Sequence, residues 1–167
     1  MKPLKKAGKA RRAVCVQYGA LPYRLDGTGS VQILLVTSRA TKRWIIPKGW
    51  PIKGLKAAEA AAREAFEEAG VRGRLTRRAL GHYFYEKRLE DGLATVPCEV
   101  EVFALVVSRQ SKDWPESHQR TARWFSAAEA AARVDDDGLR PLIVRLAKHE
   151  RAGSQKPKAP RTRSGSS

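Results

Sequence analysis

Cysteine and histidine are scarce in this chain, with two and three residues out of 167. Cys15 and Cys98 are too few and too far apart for a structural zinc site, and each sits in a short apolar run of β-type residues. They are expected as buried free thiols, which leaves no redox role. His82, His118 and His149 lack the i, i+4 spacing of a helical metal pair, so structural or solvated roles are expected of them. No uninterrupted apolar run approaches the roughly 18 residues of a membrane span, and Met1-Lys-Pro-Leu leads into basic residues rather than an apolar signal. The expectation is a soluble, cytoplasmic protein with no membrane partner. The sequence does not fix its oligomeric state.

Acidic residues are missing from both ends. Residues 1–12 carry six Lys or Arg and residues 151–167 carry five; taking those eleven from the total of 33 leaves 22 against all 17 acidic residues, a net of +5. The formal charge of +16 therefore belongs mostly to the termini. A length of 167 suits one core. The division expected is a basic N-terminal arm over 1–12, one domain over 13–150 and a disordered basic tail over 151–167, the last having almost nothing apolar to bury. Solvated ends are the plain reading, and weak nucleic-acid contact through them is the alternative.

Short β-branched runs at 14–19, 31–37 and 43–46 read as strands, the first two separated by Pro22 and Asp26-Gly-Thr-Gly. A loop with Pro47, Gly49, Pro51 and Gly54 leads to an Ala-rich helix over 56–69, closed by Gly70. Strands follow over 79–87, 96–107 and 123–125, with a turn at 90–92 and helices over 127–133 and 139–150. This order predicts an α/β fold with a mixed sheet.

The first helix carries the chemistry. Ala58, Ala61, Ala62, Ala65 and Ala69 form a small-residue stripe suited to close packing, while Glu64, Glu67 and Glu68 share another face at i, i+3 and i+4. Like charges at that spacing cost roughly 0.2–0.5 kcal/mol per pair, and anions in the last turn oppose the macrodipole at roughly 0.3–1 kcal/mol. A hard divalent cation would relieve both costs, whereas a solvated acidic face is the alternative that spacing leaves open. Arg63 could orient these carboxylates by charge-assisted hydrogen bonds, or form a routine surface pair.

Taken together, these residues resemble the Nudix box, Gly-x5-Glu-x7-Arg-Glu-U-x-Glu-Glu-x-Gly-U with U aliphatic. Gly49, Arg63, Glu64, Glu67, Glu68, Gly70 and Val71 match, and Leu55 and Ala65 depart by replacing the first glutamate and an aliphatic. The flanks Leu34-Leu-Val-Thr-Ser-Arg, Arg43-Trp-Ile-Ile-Pro-Lys-Gly, Asp113-Trp-Pro-Glu-Ser and Arg123-Trp-Phe look like the diphosphoinositol polyphosphate phosphohydrolase branch, which includes diadenosine polyphosphate hydrolases. The resemblance implies a Nudix-type α/β/α sandwich and a hydrolase using Mg²⁺, or Mn²⁺ in its place. Its expected metal ligands are Glu64, Glu67 and Glu68, and its partner is a small polyphosphate cleaved at a phosphoanhydride by activated water. Glu101 and Glu116, outside the box, join Glu64 as candidates for the general base.

The local charge agrees with that substrate class. Residues 39–56 hold Arg39, Lys42, Arg43, Lys48, Lys53 and Lys56 without one acid. Arg39, Arg43 and Lys48, with Gly49 shaping the loop, are the expected phosphate contacts. Trp44 and Trp50 lie nearby, each either partly core or a surface for stacking a base. The rival from another class is a non-catalytic binding module that holds a nucleotide or RNA with its basic ends.

Overall fold

The computed structural model describes residues 15–90 and 92–154. The N-terminal arm and residues 155–167 of the basic tail lie outside the described residues. β1 (Cys15–Leu25) and β2 (Val31–Thr37) form an antiparallel pair whose turn is organised by Asp26, which accepts from the backbone N–H groups of Thr28 and Ser30. β3 (Trp44–Ile45) and β4 (Lys48–Gly49) precede α1 (Ala57–Ala69). β5 (Val71–Leu75), β6 (Gly81–Arg88), β7 (Thr95–Gln110) and β8 (Ala122–Ser126) follow, then α2 (Ala127–Arg133) and α3 (Leu139–Ser154).

Several elements differ from expectation; β4 is a short strand within the expected loop, and β7 runs to Gln110, three residues past the expected 107. β1 continues through Pro22, because that residue falls between the segment pairing with β4 (18–19) and the segment pairing with β2 (23–25), where a missing N–H costs no ladder bond along that side. β5 carries two arginines and exposes its middle three residues, so its sequence shows no strand alternation. α3 runs to Ser154, four residues past the expected end at Glu150.

β1 and β7 pair in parallel from Cys15↔Cys98 to Tyr23↔Val106, and the other strand pairings are antiparallel, giving one mixed eight-stranded sheet. Both faces are covered. Leu21, Ile33, Leu35, Val100 and Val102 pack with Leu139, Leu142 and Ile143 of α3, while Ala20, Leu34, Val36, Phe103 and Leu105 pack with Ala61, Ala65 and Ala69 of α1. Alternate residues of β2 thus point into two cores, which explains why Val31–Val36 reads as nearly continuous apolar sequence. The result is the expected sandwich of helices about a mixed sheet.

The cysteines depart from the expected free thiols. Parallel register sets Cys15 directly opposite Cys98, with Cα atoms 4.5 Å apart, and the two form a disulfide. A separation of 83 residues hid that adjacency from the sequence. Among the described residues, no helix is long and apolar enough to cross a membrane.

Candidate active site

The alanine stripe fixes where the carboxylates go. Ala61, Ala65 and Ala69 are fully buried against the sheet, so α1 lies close to β1 and carries Glu64 and Glu68 over the end of β4. Ala65, one of the two departures from the box, is part of this close contact: a larger side chain there would push the helix outward. Gly49 faces the helix, where an added Cβ would run into the Glu64 carboxylate. Its glycine therefore serves close approach to a glutamate, which differs from the expected role of shaping the loop.

The C-terminal end of α1 is held by the loop after β7. Gly70 closes the helix in the left-handed region at φ 71°, and the Trp114 ring covers it where a Cβ would stand. Trp114 Nε1 donates to the Glu68 carbonyl at 3.0 Å, the Glu116 N–H donates to the Glu67 carbonyl at 3.0 Å, and the Ser111 N–H donates to the Gly70 carbonyl at 2.8 Å. Carbonyls that the helix end leaves without partners are thereby satisfied. The same contacts bring Glu116 beside the box glutamates.

Glu64, Glu68 and Glu116 line one cleft of about 400 Å³ together with Gln17, Arg39, Lys48, Trp50, Tyr85, Lys87, Gln119 and Arg120. At its floor Tyr85 donates its hydroxyl to the buried Gln17 Oε1 at 2.6 Å. A second recess of about 550 Å³ adjoins it, sharing Ile45, Lys48, Tyr85 and Lys87 and adding Arg43, Arg88, Ser38, Thr41 and Asp136. Arg120 ties the first cleft together. Its buried guanidinium donates to Glu116 Oε1 at 3.1 Å, to the Thr37 carbonyl at 3.1 Å and to Glu68 Oε1 at 3.3 Å. The Lys48 backbone N–H donates to the other Glu68 oxygen at 3.3 Å.

Burial pushes the Glu68 carboxyl up, against the pull of Arg120 and Lys48 and with the help of Glu64 and Glu116. Glu64 is also raised, first by burial and then by the charges of Glu67 and Glu116. Burial depresses the Lys48 ammonium against the attraction of Glu68 and Asp136, and its Nζ rests 4.9 Å over the Tyr85 ring. A cleft that resists carboxylate charge gains stability from any cation placed among those oxygens. Hard oxygen donors of this kind suit Mg²⁺ or Mn²⁺. Among the described residues, no three acidic, His or Cys side chains stand close enough together to form a ready-made cage. Glu68 is held by Arg120 and the Lys48 N–H, and Glu67 lines a separate recess with Arg63 and Phe66.

The expected residues thus divide. Glu64, Glu68, Arg39, Lys48 and Gly49 meet in one cleft. Arg43 lines the adjoining recess and reaches Asp135 at 3.9 Å in an exposed pair. Arg63, expected to orient the carboxylates, lies with Glu67, and the guanidinium hydrogen-bonded to Glu68 is that of Arg120. Glu101 lines a different recess with Lys56 and Arg78, which leaves Glu116 as the extra acid beside Glu64. Trp44 packs edge-on against Phe125 at 4.9 Å between centroids, whereas Trp50 is 49% exposed at the cleft. Sequence reasoning missed Arg120, Gln17, Tyr85 and Lys87, none of which stands in a local pattern with the box. The nearest signal for Arg120 was its place between the quoted segments 113–117 and 123–125.

A mixed sheet between helices, with glutamates projecting from the first helix into a basic cleft, defines a Nudix-type sandwich. The chain belongs to the Nudix family: the NUDIX domain pattern matches residues 17–146. It is 36% identical over 129 residues to Nudix hydrolase 21, chloroplastic, of Arabidopsis thaliana, covering 75% of this chain and 62% of that protein. It is 34% identical over 125 residues to diphosphoinositol polyphosphate phosphohydrolase 3-beta of Bos taurus, covering 74% of this chain and 68% of that protein. The chain spans about three fifths of the length of the first of these relatives. Among solved structures, a C. elegans Ap4A hydrolase in a binary complex superposes with a TM-score of 0.61 at 22% identity, over 84% of this chain and 99% of that one.

Proposed function

We propose that this chain is a Mg²⁺-dependent hydrolase of a phosphoanhydride bond in a highly phosphorylated or nucleoside diphosphate-linked substrate, with Mn²⁺ able to replace Mg²⁺. The observation that carries the reading is the meeting of Glu64, Glu68 and Glu116 with Arg39, Lys48 and Lys87 in one cleft. Glu64 and Glu68 would hold the metal, and Glu67 would join them by swinging its side chain out of the neighbouring recess. When bound, such an ion offsets charge at the reacting phosphate and lowers the pKa of an attacking water. Arg39, Arg43 and Lys48 hold the non-reacting phosphates, and Arg120 keeps Glu68 and Glu116 in place. Glu64, whose carboxyl burial raises, or Glu116 accepts the proton from water as its oxygen bonds phosphorus and the anhydride P–O bond breaks.

A non-catalytic module would gain nothing from crowding carboxylates at a helix end where they repel, and this weighs against the binding-only reading. The test is a screen for release of nucleotide, sugar phosphate, phosphate or pyrophosphate, resolved by anion-exchange chromatography, with and without Mg²⁺. Its substrates are diadenosine polyphosphates, diphosphoinositol polyphosphates, nucleotide sugars and triphosphorylated RNA. Metal-dependent release from at least one, abolished in Glu64→Gln, is expected. No release from any of them, with Mg²⁺ or Mn²⁺, would refute the reading.

A further inference from the structure

Three of the four tryptophans are tied into the fold. Trp44 packs edge-on against Phe125. Trp114 covers Gly70 and donates its indole N–H to Glu68, and Trp124 donates to Gln110 beneath the Arg24 guanidinium. Trp50 is different. It is 49% exposed, and it is the one large exposed apolar side chain among the described residues that lines the carboxylate cleft.

Its placement is set by its neighbours. Gly49 lies against the Glu64 carboxylate, and Pro51 restrains the backbone of the residue before it to extended geometry. Trp50 therefore lines the cleft next to Gly49, the residue against which the Glu64 carboxylate lies. Lys87 Nζ lies 5.3 Å from the centre of the Trp50 ring, and Lys87 also lines the adjoining basic recess. An aromatic face and a cation shared with the adjoining basic recess match a ligand in which a flat base is joined through a sugar to phosphate. An inositol ring carries no π face, and with phosphates on its carbons it offers the indole little C–H surface, so it gains less from the indole than a base does.

We infer that Trp50 is a base-stacking subsite, with Lys87 beside it, and that the substrate is a nucleoside polyphosphate rather than an inositol polyphosphate. The inference rests on the proposed hydrolase reading and narrows its substrate class. Stacking contributes about 1–3 kcal/mol per base on replacement by alanine. That corresponds to a loss of roughly 5- to 150-fold in affinity.

The test uses the full chain and equilibrium binding, not turnover. The methylene-bridged analogue of ATP, inorganic tripolyphosphate and inositol hexakisphosphate are titrated calorimetrically into the parent and into Trp50→Ala, Trp50→Leu and Trp50→Phe. Trp50→Ala and Trp50→Leu should weaken the ATP analogue by about tenfold or more, Trp50→Phe should retain much of the affinity, and tripolyphosphate and inositol hexakisphosphate should change by less than about twofold throughout. Leucine keeps apolar bulk without a π face, so it separates stacking from a general need for a large side chain. Unchanged affinity for the ATP analogue in Trp50→Ala, or an equal loss for tripolyphosphate, would overturn the inference. Such a result would leave the hydrolase reading standing, because only the absence of metal-dependent anhydride cleavage refutes that.

Discussion

Arg120 offers the sharpest test of how the cleft is held. Its side chain is 7% exposed and donates to two carboxylates and one carbonyl at 3.1–3.3 Å. Alanine in its place leaves Glu68 and Glu116, themselves 6% and 19% exposed, facing each other without their shared cation. Hydrogen bonds to charged groups contribute about 1.5–3 kcal/mol each, but they are not additive when one group makes all three. The more direct figure is the loss on breaking a buried ion pair, about 3–5 kcal/mol. For a domain of this size that lowers Tm by roughly 6–20 °C. The measurement is calorimetric melting of Arg120→Ala in chelator at pH 8 and pH 5.5. The loss should be smaller at pH 5.5, where the Glu68 carboxyl, already pushed up to about 7 by burial, sheds its uncompensated charge by taking up a proton. Arg120→Lys, which keeps the charge but not the fork, should fall between parent and alanine. A loss under about 1 kcal/mol that is the same at both pH values would show a solvated pair and refute the clamp.

Glu68→Gln and Glu67→Gln should each lower turnover by orders of magnitude; Glu67→Gln should do so without lowering Tm, since it removes a negative charge from the end of a helix that has no basic residue in its last turn, whereas in Glu68→Gln the new amide nitrogen must face either Arg120 or the Lys48 N–H and some stability is lost; near-normal turnover in both at saturating Mg²⁺ would reject the metal assignment. The folded-state pKa of Glu68 lies above its unfolded value, so the native state binds more protons over this range and this group's contribution to stability is lost as pH rises from about 4.5 to about 7; melting the metal-free protein across that range should show a decline that Glu68→Gln flattens. Gly49→Ala should displace the Glu64 carboxylate and weaken Mg²⁺ binding several-fold in calorimetric titration, with at most about 1–3 kcal/mol of stability lost. Replacing Arg39, Arg43 and Lys48 with Ala should lower kcat/KM more for a tetraphosphate than for an ADP-sugar, and an equal loss on both would assign these residues to the shared diphosphate.

What was legible in the sequence was whatever repeats along one element. The carboxylate face and alanine stripe of α1 follow from helical period alone, and the β6–β7 pair announces itself as an aromatic run and a long valine-rich run around a turn. What was hidden depends on pairings between distant residues. Arg120 meets Glu68 across 52 positions, Tyr85 meets Gln17 across 68 and Cys98 meets Cys15 across 83. Charge counting fared between these extremes. Of the acid-free run over 39–56, Arg39 and Lys48 reach the carboxylate cleft and Arg43 the recess beside it, while Lys56 caps α1 and lines a recess elsewhere.

The placement of Glu67 shows why the box spacing fixes less than it suggests. Residues at i, i+3 and i+4 share a helix face, yet a helix face spans an arc wide enough to straddle two depressions. Here the loop after β7 crosses the end of α1, with the Glu116 N–H on the Glu67 carbonyl and Trp114 on the Glu68 carbonyl. That crossing puts Glu64, Glu68 and Glu116 on the cleft side and leaves Glu67 with Arg63 in the neighbouring recess. Glu67 still acts on the cleft through its charge, since it helps to raise the Glu64 carboxyl. A cation entering among Glu64, Glu68 and Glu116 competes directly with Arg120 for the Glu68 oxygen, and drawing in Glu67 requires its side chain to swing toward Glu64. The helix itself need not move, because its backbone is held at one end by Gly70 and the loop and along its length by the buried alanines.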